Sequence, residues 1–173
     1  GHRPYFLVCE REARGTRASS NAGTRPPRSA AWLGAGDDSF NLAGGSWTGD
    51  IQGEDGNDAF NWTGGALNSG FYGGAGNDTI TGDDQSNTLY GRLGDDLIDG
   101  AGGADTIDGG VGDDTLIGGA DADTLFGDVG DDSLTGSGGD DSLDGGEGDD
   151  VLQEDAPHRE DEDVQRLDAR RGG

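Results

Sequence analysis

The chain has 173 residues, of which only 29% are hydrophobic while 37 are glycine, and its formal net charge is −25. A chain of this size and composition holds one modest domain without a large conventional core. No apolar run approaches the roughly 18 residues of a membrane span. Such an acidic chain also repels phosphates, which excludes nucleic-acid binding through the phosphate backbone.

The first part of the chain, residues 1–32, is basic. It carries six arginines against two glutamates, for a local charge of +4, and shows no period. We expect a disordered flank, with an arm for an anionic partner as the weaker alternative. At the other end, residues 154–173 form an acidic tail that we also expect to be disordered, although a short helix around Val164 and Leu167 is an alternative.

Between these flanks the chain repeats. Residues 73–153 divide into nine units of nine residues, and the first of them reads GGAGNDTIT. The shared form is G-x-x-G-x-D, then a small residue, an apolar residue and a free position, which we number place one to place nine. Similar units begin at Leu33 and Gly53, and each is followed by an eleven-residue piece with a degenerate copy. The array thus covers residues 33–153 in thirteen units, irregular over 33–72 and regular afterwards.

The nine-residue period predicts the fold class. Glycine costs about 1 kcal/mol at each helical position, so this repeat does not form a helix. Six turn-forming residues followed by a short strand with one apolar side chain predict half a solenoid coil. Two such halves make one coil of an all-β solenoid, and the first coils are longer by two residues each. The place-eight side chains are then expected to face inward: Phe40, Ile51, Phe60, Phe71, Ile80, Leu89, Ile98, Ile107, Leu116, Leu125, Leu134, Leu143 and Leu152.

The repeat resembles the RTX family, the haemolysin-type calcium-binding nonapeptides, over residues 33–153. The resemblance implies a right-handed parallel β-roll solenoid with two nonapeptide half-coils per turn, which folds on Ca²⁺. It also implies a secreted, extracellular protein of bacterial type I export. In the family, the place-six aspartate and backbone carbonyls of the glycine loop bind a Ca²⁺ ion that is shared with the loop one turn away.

The residue chemistry agrees with a hard cation. Carboxylate and peptide oxygens suit Ca²⁺ or Mg²⁺, and residues 33–153 contain no His or Cys for zinc. Many shared sites with flexible backbone ligands favour Ca²⁺, because Mg²⁺ demands a tight octahedron. The local charge of 27 acids against one arginine needs neutralising. We therefore predict that the ion-free chain is largely disordered.

Alternate units stack, which separates the coil into two sides. On side A, place six is always aspartate and place four is always glycine in the loops after Leu33. We predict metal ligands there at Asp38, Asp58, Asp78, Asp96, Asp114, Asp132 and Asp150, with Gly36, Gly56, Gly76, Gly94, Gly112, Gly130 and Gly148. On side B, place six reads Gly49, Ser69 and Asn87 before aspartates appear. Side B ligands are predicted only at Asp105, Asp123 and Asp141, with Gly103 and Gly139. Side A is thus expected to hold six inter-loop sites.

Three classes of function remain open. The first is a calcium-binding module that stabilises or presents an attached domain. The second is the C-terminal part of a secreted metalloprotease, lipase or polysaccharide-modifying enzyme whose catalytic domain lies upstream, since this chain has neither H-E-x-x-H nor G-x-S-x-G. The third is an adhesin or surface solenoid. An ice-binding face would need an unbroken rank of outward threonines, and Leu97 and Val151 interrupt that rank.

Two further motifs are weaker. The window that starts at Asp140 is like an EF-hand, but Val151 stands where a bidentate glutamate is required, so we reject it. Four aromatic residues in or just after the irregular coils form a candidate saccharide or cell-surface patch: Trp47, Trp62, Phe71 and Tyr72. The alternative is that they pack the irregular coils.

Overall fold

The computed structural model describes residues 8–12, 15–21, 31–43, 46–47, 49–63, 66–67 and 70–154. All eighteen elements in these residues are β-strands. No described segment is a helix long and apolar enough to cross a membrane.

The strands form two large sheets and one small one. The first sheet contains, in spatial order, β1 (Val8–Glu12), β2 (Gly15–Asn21), β4 (Ser39–Ala43), β7 (Ala59–Trp62), β10 (Thr79–Thr81), β12 (Leu97–Asp99), β14 (Thr115–Ala120), β16 (Ser133–Gly138) and β18 (Val151–Gln153). The second contains β17 (Ser142–Asp144), β15 (Thr124–Val129), β13 (Thr106–Val111), β11 (Thr88–Leu93), β9 (Phe71–Ala75), β6 (Ile51–Asp55) and β3 (Ala31–Ala35). β5 (Ser46–Trp47) and β8 (Ala66–Leu67) pair separately.

From β6 onward, strands that follow one another in the chain belong alternately to the two large sheets, with the exception of β8 in the small pair. The chain therefore winds as a coil. Neighbouring strands of the roll are parallel and pair place eight with place eight. Hydrogen-bonded loops of successive coils are first 20 residues apart, as from Asp38 to Asp58, and later 18 residues apart, as from Asp78 to Asp96. The predicted all-β parallel roll with two half-coils per turn is confirmed, and so is the change of step.

The core is the row of place-eight side chains between the sheets. Those from Phe40 to Leu134 are at most 1% exposed, as predicted. The last described coil differs, because no other described coil covers it: Leu143 is only partly buried and Leu152 is 46% exposed. Each apolar side chain is therefore buried by the coils that stack directly before and after its own.

The two extra residues of each longer coil extend the strands of the first sheet and add core. Leu42 and Trp62 pair in register and are both 2% exposed. The Trp62 and Phe71 rings meet edge to face, with centroids 5.7 Å apart. The saccharide patch is therefore wrong for Trp62 and Phe71, which the core buries because the wider coil needs larger side chains. The Trp47 side chain lies outside the described residues.

Tyr72, the remaining member of that patch, lies on the outer face of the second sheet. Its ring stacks on Tyr90 of the next coil at 4.7 Å, and the Arg92 guanidinium lies 4.7 Å from the Tyr72 ring centre. The cluster ties two coils together in an otherwise acidic array.

The structure also has strands within residues 1–32, where the sequence analysis expected disorder. β1 and β2 form an antiparallel pair, and β2 continues the first sheet beside β4. Ala31 in β3 is in register with Ile51. Ile51 is the first place-eight residue of the second sheet that the repeat pattern identified, so Ala31 adds one earlier coil to it. Residues 155–173 of the expected tail lie outside the described part. The three-part domain division stays a prediction.

Candidate metal centre

The loops of side A repeat one backbone conformation. At place four, the glycines from Gly36 to Gly148 all have positive φ, between 108° and 149°. A Cβ there also meets the neighbouring coil: at Gly94 it would lie within 3.0 Å of the Gly76 carbonyl oxygen. Only glycine satisfies both conditions.

Place two also has positive φ on side A. Three residues with side chains occupy it, namely Glu54 at 80°, Arg92 at 89° and Asp128 at 72°. All three side chains are exposed. Residues with a side chain disfavour positive φ, yet these three adopt it. The surrounding coils therefore impose the loop conformation.

The place-six carboxylates link one coil to the next. Each Oδ1 accepts the backbone N–H of the place-six residue one coil earlier: Asp58 Oδ1 from Asp38 at 2.7 Å, and Asp96 Oδ1 from Asp78 at 2.7 Å. The series continues along side A to the Asp150 carboxylate, which accepts from Asp132 at 3.0 Å. These aspartates are buried up to Asp132, at 1–4% exposure.

The second carboxylate oxygen is buried and has no hydrogen-bond partner. This holds for Oδ2 of eight aspartates: Asp58, Asp78, Asp96, Asp105, Asp114, Asp123, Asp132 and Asp141. Each Oδ2 lies beside the place-one glycine of its own unit, since a Cβ at Gly91 would come within 3.0 Å of both Asp96 Oδ2 and the Gly109 carbonyl oxygen. A carboxylate oxygen of one coil and a carbonyl oxygen of the next therefore converge on one space, which we call the inter-loop gap.

The place-one glycines are a feature that the sequence analysis missed. It assigned backbone ligands to place four, whereas the structure brings place-one carbonyls beside the aspartates. Gly73, Gly91 and Gly109 do not have positive φ, and the register of the second sheet skips them. Glycine is needed there because a Cβ would fill the gap. The signal was present in the sequence, because place one is glycine in every regular unit.

A second ladder runs along side A at place five, in the opposite direction. Here the side-chain oxygen accepts from the coil that follows: Asp95 Oδ1 from the Asp113 N–H at 3.1 Å, and Asp113 Oδ1 from the Asp131 N–H at 2.9 Å. These carboxylates are exposed. Each loop is thus bonded to both neighbours, although only place six turns a buried oxygen into the gap.

Side B reproduces the gaps only in its C-terminal part. Asp105 accepts from the Asn87 N–H at 2.7 Å, Asp123 from Asp105 at 2.8 Å, and Asp141 from Asp123 at 2.9 Å. The predicted Gly103 and Gly139 have positive φ of 90° and 144°. Before these loops, Gly49 offers no side chain and Ser69 lies outside the described residues.

The loop from Gly82 to Asn87 on side B differs, because its side chains form hydrogen bonds within the loop. The Asn87 Oδ1 accepts the Asp83 N–H at 3.0 Å, and the Asn87 amide donates to Asp83 Oδ1 at 3.3 Å. Asp83 Oδ1 also accepts the Gln85 N–H at 3.0 Å. Asp83 is 7% exposed and Asn87 is 4% exposed, so two buried side chains satisfy this loop internally.

The first loop of side A also departs from the rest. Leu33 stands at place one and is buried in the core at 6% exposure. Every place-one glycine from Gly53 to Gly145 along side A would bring a Cβ within 3.0 Å of its own place-six Oδ2. Leu33 carries that atom, so the gap beside Asp38 differs from the others.

The buried carboxyls are electrostatically costly as anions. Burial raises the pKa of Asp58, Asp96, Asp105 and Asp114 to about 7 and that of Asp78 to about 6, although the backbone N–H that each accepts lowers it. Burial raises the pKa of Asp123 and Asp132 as well. Neighbouring ladder carboxylates add to the rise for most of these groups. Such carboxylates need a proton or a cation to neutralise them.

The comparison with known protein families agrees with this geometry. The RTX calcium-binding nonapeptide repeat matches four times, over residues 72–107, 81–116, 99–134 and 117–152. These residues belong to the RTX repeat family. The predicted resemblance is therefore confirmed over 72–152, and this part of the chain is a calcium-binding β-roll. No curated protein and no solved structure matches the chain.

The residues of the RTX roll fit Ca²⁺. In the part of the chain that the structure describes, no three His, Cys, Asp or Glu side chains cluster as a metal site. The inter-loop gap instead combines an unpartnered carboxylate oxygen with a carbonyl oxygen from the next coil. Oxygen donors that include backbone carbonyls are typical of Ca²⁺ sites.

Proposed function

We propose that the chain binds a row of Ca²⁺ ions in the inter-loop gaps and that this binding drives its folding. The observation that carries the proposal is the set of eight buried Oδ2 atoms without a partner. An unpartnered buried carboxylate opposes folding, whereas one that holds a divalent cation favours it.

The two sides are proposed to contribute unequally. On side A, five gaps hold a buried place-six Oδ2, at Asp58, Asp78, Asp96, Asp114 and Asp132, and the next coil's place-one carbonyl oxygen lies close by at Asp58, Asp78, Asp96 and Asp132. The gap beside Leu33 is not counted, which reduces the six sites expected from spacing to five. On side B, the gaps at Asp105 and Asp123 are complete, since Gly118 and Gly136 follow them.

Folding on the ion follows from the charge. The place-six carboxylates are spaced one coil apart along each side, so the ion-free roll stacks like charges in a buried row. Binding that exists only in the folded state adds its free energy to folding. The proposal is that the chain is largely unfolded without Ca²⁺ and forms the roll as Ca²⁺ is added.

The test compares adjacent aspartates in the same loop. Asp114→Asn removes a buried gap carboxylate, and Asp113→Asn removes the same charge from an exposed one. Far-ultraviolet circular dichroism during Ca²⁺ titration gives the folding midpoint, and native mass spectrometry counts the ions. We expect Asp114→Asn to lose at least one ion and to require more Ca²⁺, while Asp113→Asn stays close to the parent chain.

Mg²⁺ is the control for ionic strength and divalent charge. It is expected to give little β signal at concentrations where Ca²⁺ folds the chain, because it keeps its waters and demands an octahedron. A roll that forms fully in chelator, or equal ion counts for the two variants, would defeat the proposal.

The biological role that fits best is a non-catalytic folding module of a secreted bacterial protein. Such a module would remain unfolded in the Ca²⁺-poor cytosol and fold outside, where extracellular Ca²⁺ modules work at about 10⁻⁴–10⁻³ M. It would then stabilise or present an attached domain. The measurement that checks this is the Ca²⁺ midpoint: a midpoint in the nanomolar range would leave the roll folded inside the cell and contradict the role.

A further inference from the structure

One face of the roll carries an apolar row that no described residue covers. Leu93, Val111 and Val129 stand at place three of consecutive side A units, in register on β11, β13 and β15. They are 54%, 48% and 45% exposed. Single exposed apolar residues are ordinary, but a contiguous row on so acidic a surface indicates a binding surface. We call these three residues the place-three row.

A shallow cleft of about 440 Å³ lies along this row. Its lining consists of Gly110, Val111, Asp128, Val129, Gly146 and Glu147. Glycines at place two leave room between the coils, and the two valines give the cleft an apolar wall. Asp128 and Glu147 place negative charge at its rim and are exposed. An occupant that fits combines apolar side chains with cations.

We propose that the occupant is the chain's own C-terminal segment, residues 164–171. This segment reads VQRLDARR. Val164 and Leu167 supply two apolar side chains three residues apart, to pack on the place-three row. Arg166, Arg170 and Arg171 supply three cations against one acid, Asp168, to pair with the rim carboxylates. Elsewhere from residue 33 to 158, the chain has a single arginine and no lysine.

The described chain ends close to the cleft. Strand β18 ends at Gln153, and the regular coils step by 18 residues, as from Asp114 to Asp132. Glu147 of the cleft lining lies in this last described coil, six residues before Gln153. The chain from 154 to 163 spans at most about 33–36 Å when extended, which is ample for half a coil.

The other occupants fit less well. A second copy of the chain would bring its own acidic roll against Asp128 and Glu147, and like charges repel. The basic N-terminal residues join the roll at β2 and β3, at the edges of the two sheets that lie opposite β18 and β17. The C-terminal segment is the cationic stretch that follows the described end of the chain, which is at the cleft's own end of the roll.

The test is limited trypsin digestion of the full chain in saturating Ca²⁺. Cleavage after Arg166 reports undocking, and cleavage after the exposed Arg92 reports opening of the roll itself. If about 90% of molecules are docked, cleavage after Arg166 is slowed about tenfold. We expect Val129→Ser to remove this protection, while Leu97→Ser does not. Leu97 is a matched control because it is 44% exposed and lies on the first sheet, outside the cleft.

Two controls make the result decisive. Circular dichroism and the rate of cleavage after Arg92 must be the same in both variants, which shows that the roll is intact and separates this test from that of Ca²⁺-driven folding. Asp128→Asn is expected to weaken the protection partly. Equal cleavage after Arg166 in the parent chain and both variants would overturn the proposal, and so would protection that rises with chain concentration, which would identify a second copy as the occupant.

Discussion

Two loops of the same length on opposite sides of the coil show different ways to satisfy a tight turn. The side A loop from Gly91 to Asp96 leaves the Asp96 Oδ2 buried without a partner. The side B loop from Gly82 to Asn87 closes on itself through Asp83 and Asn87. The first loop needs a proton or a cation to neutralise its buried carboxylate, and the second satisfies its buried side chains internally. The two loops differ by aspartate or asparagine at place six and by arginine or aspartate at place two, so on the proposed function only the first would depend on metal.

The largest effect is expected from filling a gap on side A. In Gly91→Ala, the new Cβ would lie within 3.0 Å of Asp96 Oδ2 and of the Gly109 carbonyl, which is backbone and does not move aside. We expect the free energy of unfolding in Ca²⁺ to fall by about 4 kcal/mol. About 2.7 kcal/mol comes from one lost ion at a hundredfold excess over Kd, and about 1–3 kcal/mol comes from overpacking. Chemical denaturation in Ca²⁺ measures the change.

The matched glycine is on side B. A Cβ at Gly102 would meet only Asp84, at 3.6 Å, and Gly102 does not have positive φ. Gly102→Ala is expected to change the free energy of unfolding by less than about 0.5 kcal/mol. Similar losses for both variants would show that the backbone, rather than the gap, sets the cost.

An intermediate effect is expected from opening the self-sufficient loop. Asp83→Ala removes the acceptor of the Gln85 N–H and of the Asn87 amide. Asn87 is buried, and leaving its amide donor unpaired costs about 1–3 kcal/mol. We expect lower stability by thermal denaturation, with an unchanged number of bound ions by native mass spectrometry. The exposed neighbour Asp84→Ala serves as control, and a lost ion in Asp83→Ala would refute the division between the two loops.

The smallest effect is expected from converting the self-sufficient loop into a metal-binding one. Asn87 Oδ1 lies near the place for a Cβ on Gly82, close to the Gly100 carbonyl, just as the aspartates of later loops do. Asn87→Asp is expected to bind one more ion and to gain about 1.4 kcal/mol at a tenfold excess of Ca²⁺ over Kd. In chelator it is expected to lose stability, because the new charge faces Asp83.

Asn77→Asp adds the same charge at the exposed place five of side A. Its ion count is expected to equal that of the parent chain. If both variants bind the same number of ions, position in the loop does not decide binding, and the comparison fails.

The repeat pattern was sufficient to predict the stacking. Place eight recurs once per half-coil, so the inward row from Phe40 to Leu134 and the shortening of the later coils follow from counting. The repeat pattern did not predict the burial of Leu42 and Trp62, because the sequence of the eleven-residue pieces is equally consistent with a loop at these positions. Their side chains became core only because the strands of the first sheet lengthened.

The candidate site was only partly predictable. The place-six aspartates were identified because their residue type carries the chemistry. The carbonyls of place one were not, because glycine occurs at places one and four for two different reasons: absence of a Cβ at Gly91 and positive φ at Gly94. Residue letters do not distinguish these reasons. Asp83 was missed because the repeat pattern leaves place two free, and the side chains of Glu54, Arg92 and Asp128 at that place are exposed.

The two oppositely directed ladders on side A have a mechanical consequence. Each ladder bonds an inner loop to both of its neighbours: the Asp96 Oδ1 accepts the Asp78 N–H and the Asp96 N–H donates to Asp114 Oδ1, while the place-five bonds run in the opposite direction. The last described coil has a single described neighbour, and its place-eight residue Leu152 is already 46% exposed. A pulling force on the C-terminal end therefore peels the roll one coil at a time, and each regular coil releases roughly 60 Å of extended chain. Such a roll unfolds under tension in equal steps of one coil rather than all at once.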